Sequence, residues 1–307
     1  MPVITTIRGG AVLTLASLET LRGDRRWILD SDAGVPLLPD DVPRLAGDEA
    51  TDAGPIRHFA ESRLIADAAA AALADAGLTR ADLAGPDTGF VSGSCYGCGT
   101  FLDGIRAGLA QNGPRGVRAT EFSIATHGYP MAALAMSYGA QGPATAFVGD
   151  AGSAVEALAF ADLMLRLGFC ERMVVLGYDL PGPVAQAHLA VTRRLTSLPA
   201  IVALVVERAA LETTATDAPV LTASVTPAAS AAALPPPCAL AASPLLEIFA
   251  QLRGKPAPTP FTLEIVESCG SRTRLQVGPL KGVLAASAGG GAVARPSPSR
   301  PLDLELA

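Results

Sequence analysis

Apolar positions recur along this chain in two rhythms, a helical stripe spaced three to four residues apart and short near-continuous runs. The stripe Ile56, Phe59, Leu64, Ile65, Ala68, Ala72 and Leu73 predicts a helix from about Ile56 to Ala76, with Pro55 before it and Gly77 as its stop. A short buried strand follows at Thr88–Ser92. The Gly/Cys-rich turn Gly93–Gly99 leads into a helix near Thr100–Gln111, ended by Asn112-Gly113-Pro114. The spacing predicts a further helix at Pro130–Tyr138, stopped by Gly139. Then come a strand at Thr145–Val148 opened by Gly142-Pro143, a long helix at Gly152–Leu167 stopped by Gly168, and strands at Met173–Leu176 and Ile201–Glu207. Strands alternating with helices predict an α/β fold with a largely parallel sheet.

Beyond Glu212 the pattern changes. Val220–Val225 reads as a strand, Ala228–Pro237 as a low-complexity Ala/Pro linker, and Leu240–Leu252 as a helix before Gly254 and Pro256. Phe261–Val266 and Arg272–Val277 read as a hairpin around Cys269-Gly270-Ser271. The first 54 residues open on a possible strand and continue as a loop-rich acidic stretch. The expected organisation is a first unit over 1–212, a shorter second unit over 213–280, and a disordered tail over 281–307.

Composition narrows the class. Of 307 residues, 50% are hydrophobic and 17% charged, too apolar for a disordered chain and long enough for a large core. Aromatics are only 5%, so small residues must let helices pack closely. A net charge of −6 argues against nucleic acid as a partner. The longest apolar run, Ala200–Val206, is one strand long, so no membrane span is expected. The N-terminal Met-Pro-Val-Ile-Thr-Thr-Ile-Arg has no signal-peptide core. The five Cys (95, 98, 170, 238 and 269) are irregularly spaced, which favours reduced thiols and a cytoplasmic location.

Several passages together resemble beta-ketoacyl synthases. Ala66–Leu78 resembles an early helix of that family. Gly113-Pro-Arg-Gly-Val and Tyr138-Gly-Ala-Gln-Gly-Pro143 resemble its two Gly-Pro landmarks. Gly142-Pro-Ala-Thr-Ala-Phe-Val-Gly-Asp-Ala-Gly-Ser-Ala-Val-Glu-Ala-Leu158 resembles the strand-to-helix elbow that carries its nucleophile. Gly168-Phe-Cys-Glu-Arg-Met-Val-Val-Leu-Gly177 resembles the strand that follows. The resemblance covers roughly residues 56–210. It implies a thiolase-like fold with α-β-α-β-α layers, here with a truncated second half, and an obligate dimer.

The same resemblance exposes what is missing. The family's nucleophilic Cys stands at a helix N-terminus, and the position counted from the Gly-Pro is Ala151. The family's two catalytic His lie in its second half, whereas the His here are His58, His127 and His188. Leu195-Thr-Ser-Leu-Pro199 replaces a Gly-Glu-Gly turn. Chain-length factors of type II polyketide synthases, notably the short polyene-making kind, share these traits. This likeness implies heterodimerisation with an active ketosynthase, contact with an acyl carrier protein, no cofactor and no metal. The implied acyl-channel gate is Cys98, Phe101 and Ile105, with a further position at Phe122 or Ser123. The implied dimer interface comprises Thr145, Ala146, Phe147, Val148 and His127.

Other readings stay open. Cys95-Tyr-Gly-Cys98 has the spacing of a redox or zinc half-site, without a second pair. Cys95 or Cys98 with His127 as base would make a standalone malonyl-carrier decarboxylase or thioesterase, and a degenerate homodimer binding acyl carrier protein is a third possibility. Asp150 and Ser153 read as helix-capping residues or as leftover acid–base groups. Arg193-Arg194 reads as a surface pair or as a dock for an acidic carrier.

Overall fold

The computed structural model describes residues 3–15, 27–31, 60–150, 152–192, 199–211, 219–227, 242–253, 261–266 and 271–279. Several expectations lie outside these residues, among them the acidic stretch over 32–54, Ala151, the Arg193-Arg194 pair, the Ala/Pro linker and the tail.

Nine strands form one sheet in the order β4-β3-β5-β6-β1-β7-β9-β8, with β2 also paired to β1. In chain order they are β1 (Val3–Leu15), β2 (Trp27–Ser31), β3 (Thr88–Ser94), β4 (Ala144–Val148), β5 (Arg172–Asp179), β6 (Ala200–Ala210), β7 (Pro219–Pro227), β8 (Phe261–Val266) and β9 (Ser271–Pro279). The helices are α1 (Ala60–Asp75), α2 (Gly99–Asn112), α3 (Ala119–Ile124), α4 (Tyr129–Tyr138), α5 (Ser153–Leu167), α6 (Pro183–Thr192) and α7 (Ala242–Arg253). No helix among the described residues is long and apolar enough to cross a membrane.

The expectation of a largely parallel sheet is corrected. Among the described strands, β3–β4 and β3–β5 pair parallel and the other strand pairs are antiparallel. The expectation came from the alternation of strands with helices, which does not report strand direction. The run Ala200–Val206 is apolar throughout. Strand β6 is antiparallel to both neighbours and is covered on both faces. Ile201, Ala203 and Val205 join one core, while Val202, Leu204 and Val206 join the other. The same period of two splits β5, with Val174, Leu176 and Tyr178 on one side and Met173 and Val175 on the other.

The first core lies under α1 and α4, where Ala-rich faces allow close approach to the sheet. The second lies under α5 and α7. Helix α5 packs along the sheet from β4, β3 and β5 through β6 and β1 to β7 and β9. The buried Asp162 of α5 fixes that geometry. Its Oδ1 accepts the Thr5 hydroxyl of β1 at 2.6 Å, and its Oδ2 accepts the Ala223 N–H of β7 at 3.2 Å.

Candidate functional site

The three parallel strands end side by side at Ser94, Val148 and Asp179. Ligands of α/β proteins bind beyond such carboxyl ends, where the connections diverge. Three turns leave here: one enters α2, one enters α5, and one enters α6.

The turn into α5 keeps the form of an elbow. The Gly149 N–H donates to the Ser94 carbonyl at 3.2 Å. Asp150 Oδ1 accepts the Gly152 N–H at 3.0 Å, and the Ser153 hydroxyl donates to the Asp150 carbonyl at 2.9 Å. Both side chains are thus used in starting the helix. Ala151 itself lies outside the described residues. Gly93 explains how α5 comes so near: a Cβ there would stand 2.2 Å from the Ala154 nitrogen.

His127 lies beside this elbow. Its Nδ1 is 3.1 Å from Ser94 Oγ, and its carbonyl accepts the Tyr178 hydroxyl at 3.3 Å. Gly97, at φ +59°, makes room for the ring, because a Cβ there would fall 2.6 Å from His127 Cε1. Burial holds the imidazole below its ordinary pKa, so it is neutral at pH 7. His127 Nδ1 thus faces the Ser94 hydroxyl.

Cys98 is the N-cap of α2 and is buried, as is Cys170, while Cys95 is half-buried; all three are free thiols. Burial, then the neighbouring carboxylates Glu61 and Asp179, push the Cys98 thiol well above its ordinary pKa. A thiol so placed stays protonated and is a poor nucleophile. Among the described residues no group of three His, Cys, Asp or Glu could hold a metal ion.

The gate candidates divide. Cys98 and Phe101 sit together against the core beneath α1, and Ile105 follows one turn later, half-buried. Phe122, in α3, is 70% exposed and is not part of that cluster. The Ser123 side chain lies outside the described residues.

Strand β4 is the sheet's edge, paired with β3 alone. Thr145, Ala146 and Phe147 are half-buried, and Val148 is 56% exposed. Phe147 packs on Phe160 of α5 with ring centroids 5.6 Å apart. Both α4 and α5 pack on β4, and both leave large apolar side chains in the open: Met136 on α4, Leu163 and Leu167 on α5.

Two residues absent from the sequence reading hold the α2 turn. Asp179 Oδ1 accepts the N–H groups of Cys95, Tyr96 and Gly97. Glu61 accepts those of Thr100 and Phe101. A lone carboxylate closing the apolar strand Met173-Val-Val-Leu-Gly-Tyr178 was the available signal for Asp179.

A family profile, the beta-ketoacyl synthase N-terminal domain, matches residues 52–197. Over these residues the chain is beta-ketoacyl synthase-like. Solved structures agree on the thiolase-like ketosynthase fold. The ishigamide ketosynthase/chain length factor is 16% identical, with 90% of this chain and 99% of that chain covered and a TM-score of 0.60. A beta-ketoacyl synthase from Burkholderia phymatum STM815 is 12% identical, with 90% and 99% covered and a TM-score of 0.60. A ketosynthase (ApeO) in complex with its chain length factor (ApeC) from Xenorhabdus doucetiae is 15% identical, with 89% and 98% covered and a TM-score of 0.52. No curated protein sequence matches the ketosynthase-like chain.

Proposed function

We propose that this ketosynthase-like chain is a non-catalytic chain-length factor. It pairs with a competent beta-ketoacyl synthase and caps that partner's acyl channel in polyketide or polyene assembly. The partner carries out the condensation of carrier-bound malonyl and acyl units. The observation that carries the reading is the elbow. Asp150, Gly152 and Ser153 keep a built helix start beside Gly93, yet the residue at the nucleophile position is Ala151. A methyl group forms no thioester.

The β4 edge supports the pairing. Unpaired edges flanked by apolar side chains invite a partner strand, and leaving them open risks aggregation. Thr145–Val148 with Met136, Leu163 and Leu167 supplies such a surface. Phe101, packed against the core that α1 covers, is the residue best placed to close a channel, and Cys98 and Ile105 share its helix face. The division of the chain near residue 212 and the contact with an acyl carrier protein belong to the same proposal. The standalone-enzyme reading is disfavoured by Cys98, whose burial between carboxylates opposes thiolate formation.

The test is co-expression with candidate beta-ketoacyl synthases from the same genome, followed by pull-down through a tag on this chain. The expected result is a 1:1 complex that Val148→Asp disrupts. A soluble monomer that ignores every such ketosynthase would overturn the reading.

A further inference from the structure

The path from β3 into α2 is gripped from two sides by buried carboxylates belonging to neither element. Asp179, at the end of β5, is 0% exposed, and its Oδ1 takes the N–H groups of Cys95, Tyr96 and Gly97. Glu61, in the first turn of α1, is 5% exposed. Its Oε1 accepts the Thr100 N–H at 2.8 Å and its Oε2 the Phe101 N–H at 2.9 Å. Between these two sets, the Gly99 N–H donates to the Leu180 carbonyl at 2.8 Å. Six backbone donors between residues 95 and 101 therefore end on acceptors fixed by α1 and by the β5 end.

This arrangement is more than helix capping requires. The first N–H groups of any helix lack internal partners, and a Ser, Thr, Asp or Asn at the N-cap satisfies one of them cheaply at the surface. Here the N-cap is Cys98, which makes no such bond. The chain instead buries two carboxylates, which is costly unless their hydrogen bonds are well made. Such a cost is repaid where the position of one particular residue matters. Phe101 is that residue: its own N–H is held by Glu61, and its ring lies against the core below α1.

We propose that Glu61 and Asp179 are positioning residues that set how sharply the chain's product length is defined, by locking the first turn of α2 so that Phe101 cannot withdraw before a growing acyl chain. The proposal rests on the reading of α2 as the channel gate. A yielding gate would let some chains grow past the limit, giving a broader distribution without stopping condensation, which belongs to the partner subunit.

Glu61→Gln tests it, because the amide keeps the size but offers one acceptor to two donors. In the co-expressed pair, the variant should still release product, with a wider and longer length distribution. Amide exchange at Thr100 and Phe101 should quicken at least about tenfold, and alkylation of Cys98 should quicken with it. Phe101→Ala, measured in parallel, should lengthen the product while the Thr100 amide stays protected. The proposal is overturned if Glu61→Gln folds with these amides unchanged. It is equally overturned if the amides open but product length stays as in wild type while Phe101→Ala lengthens it. If Phe101→Ala leaves product length unchanged, the gate reading itself fails and the proposal with it, whatever the amides do. Should Glu61→Gln not fold, Asp179→Ala, which removes the one oxygen the three donors share, takes the same readouts at Cys95, Tyr96 and Gly97.

Discussion

Asp162 Oδ1 accepts the Thr5 hydroxyl at 2.6 Å across 157 positions of sequence, tying α5 to β1. The same carboxylate takes the Ala223 N–H and an ion pair from Arg166, so β1, α5 and β7 meet on one side chain. Asp162→Ala strands a buried hydroxyl and an N–H. It should lower unfolding free energy by about 2–4 kcal/mol in urea melts. A change within experimental error would mean that β7 is not held there.

Burial holds the Asp162 carboxyl above its ordinary value of 3.8, against the opposing pull of Thr5 and Arg166. The folded chain then binds this proton more tightly than the unfolded chain. The contribution is full below 3.8 and is lost as pH rises through the folded pKa. Wild type should therefore gain stability relative to Asp162→Asn as pH is lowered from neutral toward 4, roughly the unfolded pKa. A gap that shrinks on acidification would reverse the sign and contradict the burial argument.

His127 moves the other way. Burial keeps its pKa below 6.5, so its contribution to stability is present above that value and is lost as pH falls through the folded pKa. A histidine NMR titration should place its midpoint below 6.5. A midpoint at or above that value would show that burial does not disfavour the charged ring.

The local elements were legible because their signals are local. The spacing predicts Thr100–Gln111 where α2 spans Gly99–Asn112, and predicts Phe261–Val266 where β8 has the same bounds. Three short elements were not read. The β2 strand lies within an acidic stretch, α3 is a single six-residue piece, and α6 follows Pro181-Gly182-Pro183, which reads as a loop. The sheet's direction escaped as well. The β1–β6 pairing joins residues about two hundred positions apart, such as Thr6 and Glu207, and no periodicity reports such a partner. Ala151, Cys98 and Phe101 were singled out through the family resemblance alone. Glu61 and Asp179 escaped for the same reason as the sheet's direction, since they act on backbone groups 39 to 84 positions away.

The cysteines give a chemical check. Cys95 is half-buried, Cys98 is buried between carboxylates, and burial pushes Cys170 to about 11. With iodoacetamide near neutral pH, peptide mapping should find Cys95 alkylated ahead of Cys98 and Cys170, which should be slower by about a hundredfold. Rapid labelling of Cys98 would restore it as a candidate nucleophile.

The contact of α5 with β3 depends on Gly93, where a Cβ would meet the Ser153 and Ala154 backbone at 2.2–2.3 Å. Backbone cannot swing aside as a side chain can. Gly93→Ala should cost about 3 kcal/mol or prevent folding, read by urea denaturation or soluble yield. A fully stable Gly93→Ala would show that the elbow is not packed on β3.

The most direct test of the central claim is the native mass and product of this chain co-expressed with its ketosynthase and an acyl carrier protein. The account predicts a 1:1 heterodimer, activity that depends on the ketosynthase's own nucleophile, and longer product from Phe101→Ala. A chain that stays apart from the ketosynthase and turns over malonyl-carrier by itself would contradict it.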